Sequence, residues 1–530
     1  MFALTAFSSV CGRRWFSVMV ARLHRGRRTG LAAVVALGAT LSAMPWGCAN
    51  SLSPSAGDAA GVTAGGASDM AQARAVIMSG GVPEPDSITV EGMLSEHDVP
   101  LIAPESADEF YAYAGLAWRV PVGSTTGAAG ADIILGIGTT IDLESIVREP
   151  QNLVVAVDRS DSMDESASPT DSRSKFEAVH SAIVSLLDRL DEGDRLSLVS
   201  FASRARVDVA SVEVVNRDSL DDDVAELFSL KPDGATDLAA GLELAFAVAG
   251  DSSSPSRADR VILFTDAVPT DGDVEADDLV DRIRTQASSG IGFTLMGVGT
   301  SFGTDLALEM GQVAGANFYY LEDADRIERV FEDEFDFMVT PAAYDLILDI
   351  SIPDGVGIRD VYGVPDYVPG AAGAQVVVPT LFFSRREGSG VVIVRLSLSS
   401  APVEGVEHPL ATVSMSYRLT DGTERSSAFD MALAPGMEPD GEPAYFSDES
   451  TRRTVVLLDT ALVLHDAAED ALAGRGSEAI SLIDSFLPRF DATILGLSDR
   501  TEPSSRGLSD ERELLEVLRE SIDNDLYRFN

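Results

Sequence analysis

With 530 residues, 85 Asp and Glu against 39 Lys and Arg, and a formal net charge of −46 at pH 7, the chain is too long for one ordinary domain and predicts about two to four. The charge excludes nucleic-acid binding, because phosphate recognition needs a basic face, and reads as a solvated surface. Cys11 and Cys48 are the only cysteines; both lie in the leader segment, so the mature chain has no internal disulfide, thiolate catalysis or thiolate metal site.

The basic charge sits at the start. Arg22, Arg25, Arg27 and Arg28 precede the apolar run Leu31–Met44, which ends at Pro45-Trp46-Gly47-Cys48. The run is shorter than the ~20 residues a bilayer span needs, and its form is that of a secretory signal. It resembles a bacterial lipoprotein signal, which implies acylation of Cys48, although Pro45 and Trp46 stand where that family has Leu and a small residue. Ordinary secretion and an uncleaved anchor are the alternatives, and Met19 is an alternative start. Ala49 to about Arg74 is Ala, Gly, Ser and Asp with few large apolar groups, which predicts a flexible tether. Phe110–Val122 and Ala131–Leu143 then read as strands.

Leu153–Val157 is an uninterrupted aliphatic run, as expected of a strand buried on both faces of a parallel sheet. It breaks into Asp158-Arg-Ser160-Asp-Ser162. Ligands of open α/β sheets bind at the carboxyl ends of such strands, and a carboxylate with hydroxyls suits a hard divalent cation. The same D-x-S-x-S spacing recurs at Asp164, Ser166 and Ser168 with no strand before it, so spacing alone does not decide. Two further segments do: the turn-rich loop Lys231-Pro-Asp-Gly-Ala-Thr236, which opens an apolar helix over Leu238–Ala249, and the hydrophobic strand Arg260-Val-Ile-Leu-Phe-Thr, which ends in Asp266.

Together these segments resemble the von Willebrand factor A-domain family and its metal-ion-dependent adhesion site, over roughly Pro150–Phe337. The resemblance implies a metal site of Asp158, Ser160, Ser162, Thr236 and Asp266, holding Mg²⁺, with Mn²⁺ or Ca²⁺ as alternatives. It departs from the family at Asp161, where Gly is usual, and at Ala267, where the family has T-D-G. The residues agree with that fold. Lys175–Leu190 has helical spacing, Arg195–Phe201 is a strand and Ala205–Val212 an edge strand. Val274–Ala287 is helical, Gly292–Val298 a strand, Thr304–Gln312 a helix, Asn317–Leu321 the last strand and Asp323–Phe337 the closing helix. Alternation of strand and helix implies a doubly wound, mostly parallel sheet.

Beyond it, Tyr344–Ile352, Gln375–Phe383, Gly390–Leu398 and Ala411–Arg418 repeat the strand pattern of a β-sandwich. The strands before the A domain are expected to share one β domain with them; two separate units would each bury little core. Thr451–Leu472 and Ser477–Phe490 form an amphipathic helical hairpin through Gly474-Arg475-Gly476, and Asp510–Leu526 is a third helix. These helices are expected to pack against the β domain. The resulting layout is a leader over 1–48, tether and leading segment over 49–107, N-terminal β segment over 108–148, A domain over 149–338, β-sandwich-like domain over 339–440 and helical region over 441–530.

Catalytic signatures are weak. No pair among His24, His97, His180, His408 and His465 has zincin spacing, and the chain has no P-loop. Asp271–Asp278 lacks the spacing of an EF-hand loop and reads as the acidic start of a helix. Asp158 and Asp266 could pair as catalytic carboxylates, but the neighbouring hydroxyls suit ligation better than proton transfer. The expectation is a non-enzymatic, exported, lipid-anchored outer-membrane protein, or a secreted or periplasmic one, whose metal meets an acidic group of a protein partner. A metal-dependent hydrolase and an envelope protein with a purely stabilising metal are the alternatives. No small-molecule cofactor or nucleic acid is expected.

Overall fold

The computed structural model describes residues 61–524 except 65–69, 105–106, 121–128, 143–144, 169–170, 216, 267–275, 300–309, 311–312, 314–315, 322–330, 332–334, 365–366, 371, 385–389, 404, 436–443 and 500–505. The leader with Cys48, Ala267, most of the expected helix over Thr304–Gln312 and most of the closing helix lie outside the described residues.

In chain order the frame begins with β1 (Gly61–Ala64), α1 (Ala71–Met78), α2 (Val90–Ser95), β2 (Phe110–Arg119) and β3 (Gly130–Thr139). The inserted domain comprises β4 (Gln151–Asp158), the short hairpin β5 (Ser166–Ser168) and β6 (Asp171–Ser174), α3 (Lys175–Arg189), β7 (Arg195–Phe201), β8 (Ala205–Glu213), α4 (Arg217–Phe228), α5 (Leu238–Ser252), β9 (Ala258–Thr265), α6 (Ala276–Ser288), β10 (Gly292–Val298) and β11 (Ala316–Leu321). The frame resumes with β12 (Pro341–Ser351), β13 (Val356–Tyr362), β14 (Val368–Gly370), β15 (Gly373–Ser384), β16 (Val392–Leu398), β17 (His408–Leu419), β18 (Glu424–Leu433) and β19 (Ala444–Phe446). It closes with α7 (Glu449–Leu472), α8 (Gly476–Ile494) and α9 (Leu508–Asp523).

The inserted sheet runs β11-β10-β9-β4-β7-β8, parallel throughout except for the antiparallel edge strand β8. Alternation along β4 explains its full burial. Leu153, Val155 and Val157 join the core under α3 and α4, while Val154 and Ala156 face α5 and α6. Helix α3 starts where it does because of a reciprocal cap: Ser174 Oγ accepts from Glu177 N at 3.2 Å and the Glu177 carboxylate accepts from Ser174 N at 2.9 Å. Arg148 clasps the two ends of the insertion. It donates to both oxygens of Asp194, at 2.9 and 2.8 Å, and to Asp336 at 3.2 Å.

The strands before and after the insertion belong to one β domain. One sheet runs β13-β16-β3-β2-β19 and its partner β1-β15-β12-β17-β18. Residues Ile133 and Leu135 of β3 pack between these sheets with Leu346, Leu348 and Val413. Ile134 points the other way, into a core it shares with Val455, Leu458 and Leu464 of α7. Strand β3 is therefore buried on both faces, with a second sheet on one side and the C-terminal helices on the other.

Of the tether expected from Ala49 to about Arg74, residues 49–60 and 65–69 lie outside the described residues; the described parts of it and of the leading segment to residue 107 pack into the fold. Strand β1 pairs antiparallel with β15, and Met70, Ala73, Ile77, Met93 and Leu94 are fully buried against the C-terminal helices. Helices α1 and α2 are short, eight and six residues, so their stability comes from docking rather than from propensity. A buried ion cluster secures them: Arg74 Nη2 lies 2.7 Å from Glu511 on α9, and His97 Nε2 lies 3.1 Å from the same carboxylate.

Candidate metal-ion site

Strand order in the insertion reverses between β4 and β9, the topological switch point at which open α/β sheets bind ligands. Both strands end there in the sequence-identified acids. Asp158 is fully buried and leaves the strand through an Asx-type turn, its Oδ1 accepting from Ser160 N at 2.9 Å. Its Oδ2 accepts from Thr265 Oγ1, across on β9, at 2.7 Å. The Ser160 and Ser162 hydroxyls are 3.1 Å apart.

The Thr236 loop is tied to that turn from both sides. Asp161 N donates to Gly234 O at 2.9 Å, and Gly234 N donates back to Asp161 Oδ1 at 3.0 Å. Asp233 N donates to Arg159 O at 2.9 Å, and Arg159 Nη1 to Lys231 O at 2.9 Å. Gly234 has φ +99°, which favours glycine there. Asp237 then caps α5 by accepting from Ala240 N at 3.0 Å. Thr236 is buried between these anchors. The departure at Asp161 thus has a structural purpose: its carboxylate replaces a glycine with a staple to the neighbouring loop.

Asp266 follows β9 and is buried. Its Oδ2 accepts from Lys175 Nζ at 3.0 Å, whereas Oδ1 is buried and meets no donor among the described residues. Burial, with repulsion from Asp266 added, pushes the Asp158 carboxyl up to about 6. Two buried carboxylates at adjoining strand ends, one with an orphaned oxygen, and nearby hydroxyls form an oxygen-rich set that a hard divalent cation fits. The cation would supply positive charge beside Asp158 and beside the Asp266 oxygen that Lys175 does not bond.

Lys175 escaped the sequence reading. It is the first residue of α3, its side chain only 2% exposed, and its Nζ also lies 3.2 Å from Glu165. A lysine in a helix's first turn opposes the helix dipole, which is one signal. Composition offers another, since Lys175 and Lys231 are the only lysines in the chain and flank the motif segments. Its stem packs against Gly299, where an added Cβ would sit 2.6 Å from Lys175 Cε.

The other candidates stay apart. In the second D-x-S-x-S, Asp164 is exposed at the end of a 3₁₀ turn, off any core strand. Asp277 and Asp278 occupy the first turn of α6, while 271–275 lie outside the described residues. His180 stacks on Phe228 with ring centroids 4.6 Å apart, and His97 belongs to the buried cluster under α9.

Residues 152–333 match the family model described as von Willebrand factor type A domain. The chain is 25% identical over 196 residues to the uncharacterized protein YfbK of Escherichia coli, covering 37% of this chain and 32% of the relative. It is 28% identical over 192 residues to the uncharacterized protein sll0103 of Synechocystis, covering 36% and 42%. It thus spans well under half the length of either curated relative. Among solved structures, a von Willebrand factor type A protein from Catenulispora acidiphila is similar over 78% of this chain and 98% of its own, at 14% identity and TM-score 0.48. With the family match spanning β4 to the end of the insertion and the matching strand-end residues gathered at the switch point, the chain carries a von Willebrand factor type A domain.

Proposed function

We propose that this is an exported binding protein, anchored to the bacterial outer membrane through acylated Cys48, whose A domain presents a divalent cation to an acidic side chain of a protein partner. The observation that carries the reading is the buried carboxylate pair, with Asp266 Oδ1 lacking a donor among the described residues and Asp158 held at the adjoining strand end. Ser160, Ser162 and Thr236 would be the near ligands, with Asp158 and Asp266 binding directly or through water. A bound Mg²⁺ would supply an open coordination position for the partner's carboxylate. The hydroxyl-rich set suits ligation rather than proton transfer, which favours binding over hydrolysis. The basic and apolar leader ending at Cys48 supports export, and Ala49 in place of Asp after the cysteine supports the outer-membrane address.

Calorimetric titration of the protein with Mg²⁺ and Mn²⁺, followed by partner capture from envelope extract with and without EDTA, tests the proposal. Asp158→Ala is expected to abolish both metal heat and EDTA-sensitive capture, while Asp164→Ala in the second D-x-S-x-S behaves as the parent. Metal binding without EDTA-sensitive capture would reduce the site to a stabilising one. Equal metal heats in Asp158→Ala and the parent would overturn the site itself.

A further inference from the structure

Arg119, at the end of β2, is buried and forks onto Asp459 of α7, with Nη1 to Oδ2 at 2.7 Å and Nη2 to Oδ1 at 2.9 Å. Asp132 of β3 bridges it to Arg395, accepting from Arg119 Nε at 3.0 Å and from Arg395 Nε at 2.9 Å. Two guanidiniums and two carboxylates leave this floor neutral. Above it lies a cavity of about 430 Å³ between α7, α8 and β19. Its walls include Phe446, Val455, Phe486 and Pro488, and two more arginines, Arg452 and Arg489, line it.

Among the described residues neither added guanidinium makes an ion pair, and the one carboxylate lining the cavity, Asp459, is already forked by Arg119. Arg452 makes no side-chain hydrogen bond or ion pair among the described residues, and its Nε is buried without an acceptor. Among the described residues Arg489 donates only to the Val120 carbonyl, from Nη2 at 2.6 Å, and burial lowers its pKa although the Asp459 charge opposes this. Acids outnumber basic residues 85 to 39 in this chain, so two arginines in one cavity without an ion pair among the described residues do not reflect a shortage of carboxylates. A partly buried cation without a counter-ion is costly, and the fork of a guanidinium matches carboxylate and phosphate oxygens. The cavity is also much larger than a lone anion needs, and its apolar walls suit a carbon skeleton.

We infer that this cavity binds a small organic dianion, its carboxylate or phosphate oxygens on Arg452 and Arg489 and its carbon body against Phe446, Val455 and Phe486. The site lies in the β domain and its helices, not in the A domain, and does not depend on the metal reading.

The test is calorimetric titration of the full chain, in chloride buffer at fixed ionic strength, with succinate in one arm and glycerol phosphate in the other. Saturable binding in either arm is expected and identifies the headgroup. Arg452→Gln and Arg489→Gln should each weaken it by about tenfold or more, as for the loss of a charged hydrogen bond. The double variant should abolish it, and Val455→Trp, which fills the cavity without touching a charge, should block it. The arginine variants are expected to melt no lower than the parent without ligand, because each removes an uncompensated cation. Asp158→Ala should bind the dianion as the parent does. No saturable heat in either arm, or binding that survives the double arginine variant, would overturn the inference.

Discussion

Lys175 Nζ lies 3.0 Å from Asp266 Oδ2, in a pair whose side chains are each 2% exposed. The ammonium neutralises one oxygen of the carboxylate and leaves the other directed at no protein donor among the described residues. Lys175 therefore holds Asp266 as a ligand in waiting: it orients the carboxylate and offsets part of the repulsion from Asp158, without occupying the whole of it.

Replacing Lys175 by Met should consequently separate folding from metal binding. In EDTA the variant is expected to be less stable by about 3–5 kcal/mol, the usual consequence of breaking a buried ion pair from one side. Saturating Mg²⁺ should recover much of that loss, since a ligand bound only by the folded state stabilises it by mass action. The metal-induced rise in melting temperature is thus larger in Lys175→Met than in the parent. Equal rises would show that Lys175 does not bear on the cation's carboxylates.

Acid stability should report on Asp132. Burial pushes its carboxyl up, but Arg119 and Arg395 outweigh that and hold it below the ordinary value of 3.8. The unfolded chain then binds a proton at pH values where the folded one does not. The stabilisation is complete above the unfolded value and is lost as pH falls below about 4. Urea midpoints measured from about pH 7 down to pH 2.5 should fall more shallowly for Asp132→Asn, which starts from a stability lower by about 3–5 kcal/mol. Parallel curves for variant and parent would contradict this account.

The shared β domain makes a deletion prediction. Removing residues 110–143 takes β2 and β3 from the middle of their sheet and exposes the inner faces of β12, β16 and β17 together with α7. The product should aggregate rather than fold, and size-exclusion chromatography decides it. A chain beginning near Glu149 that stays monomeric and melts cooperatively would refute the shared core. Leu135→Ala, a milder probe of the same core, should cost about 2–5 kcal/mol.

Cys48 supplies the last prediction. A diacyl anchor gives stable membrane attachment where a single chain gives only marginal binding. Cys48→Ser should leave the protein soluble in the exported fraction or uncleaved in the inner membrane. Mass spectrometry of the mature terminus is the direct measurement: a diacylated Cys48 is expected, and an unmodified terminus downstream of it would rule the anchor out.

Hydrophobic runs that end in acids were legible from local order alone. Leu153–Val157 into Asp158 and Val261–Phe264 into Thr265-Asp266 are each a few consecutive residues, and burial on both faces of a parallel strand leaves a mark that needs no partner to be seen. The same holds for the long amphipathic helices near the C-terminus. Distance along the chain hid the rest. Arg119 and Asp459 are 340 residues apart and Arg74 and Glu511 are 437 apart, so nothing near either residue announces its partner. Helices α1 and α2 were not expected, because segments of eight and six residues carry little periodic signal of their own; they are ordered by the surface they dock on. Lys175 shows the division most plainly. Its place at the head of a helix is written in sequence, but only the packing of α3 beneath β9 brings its ammonium to Asp266, because a contact across a sheet depends on three-dimensional approach rather than on spacing.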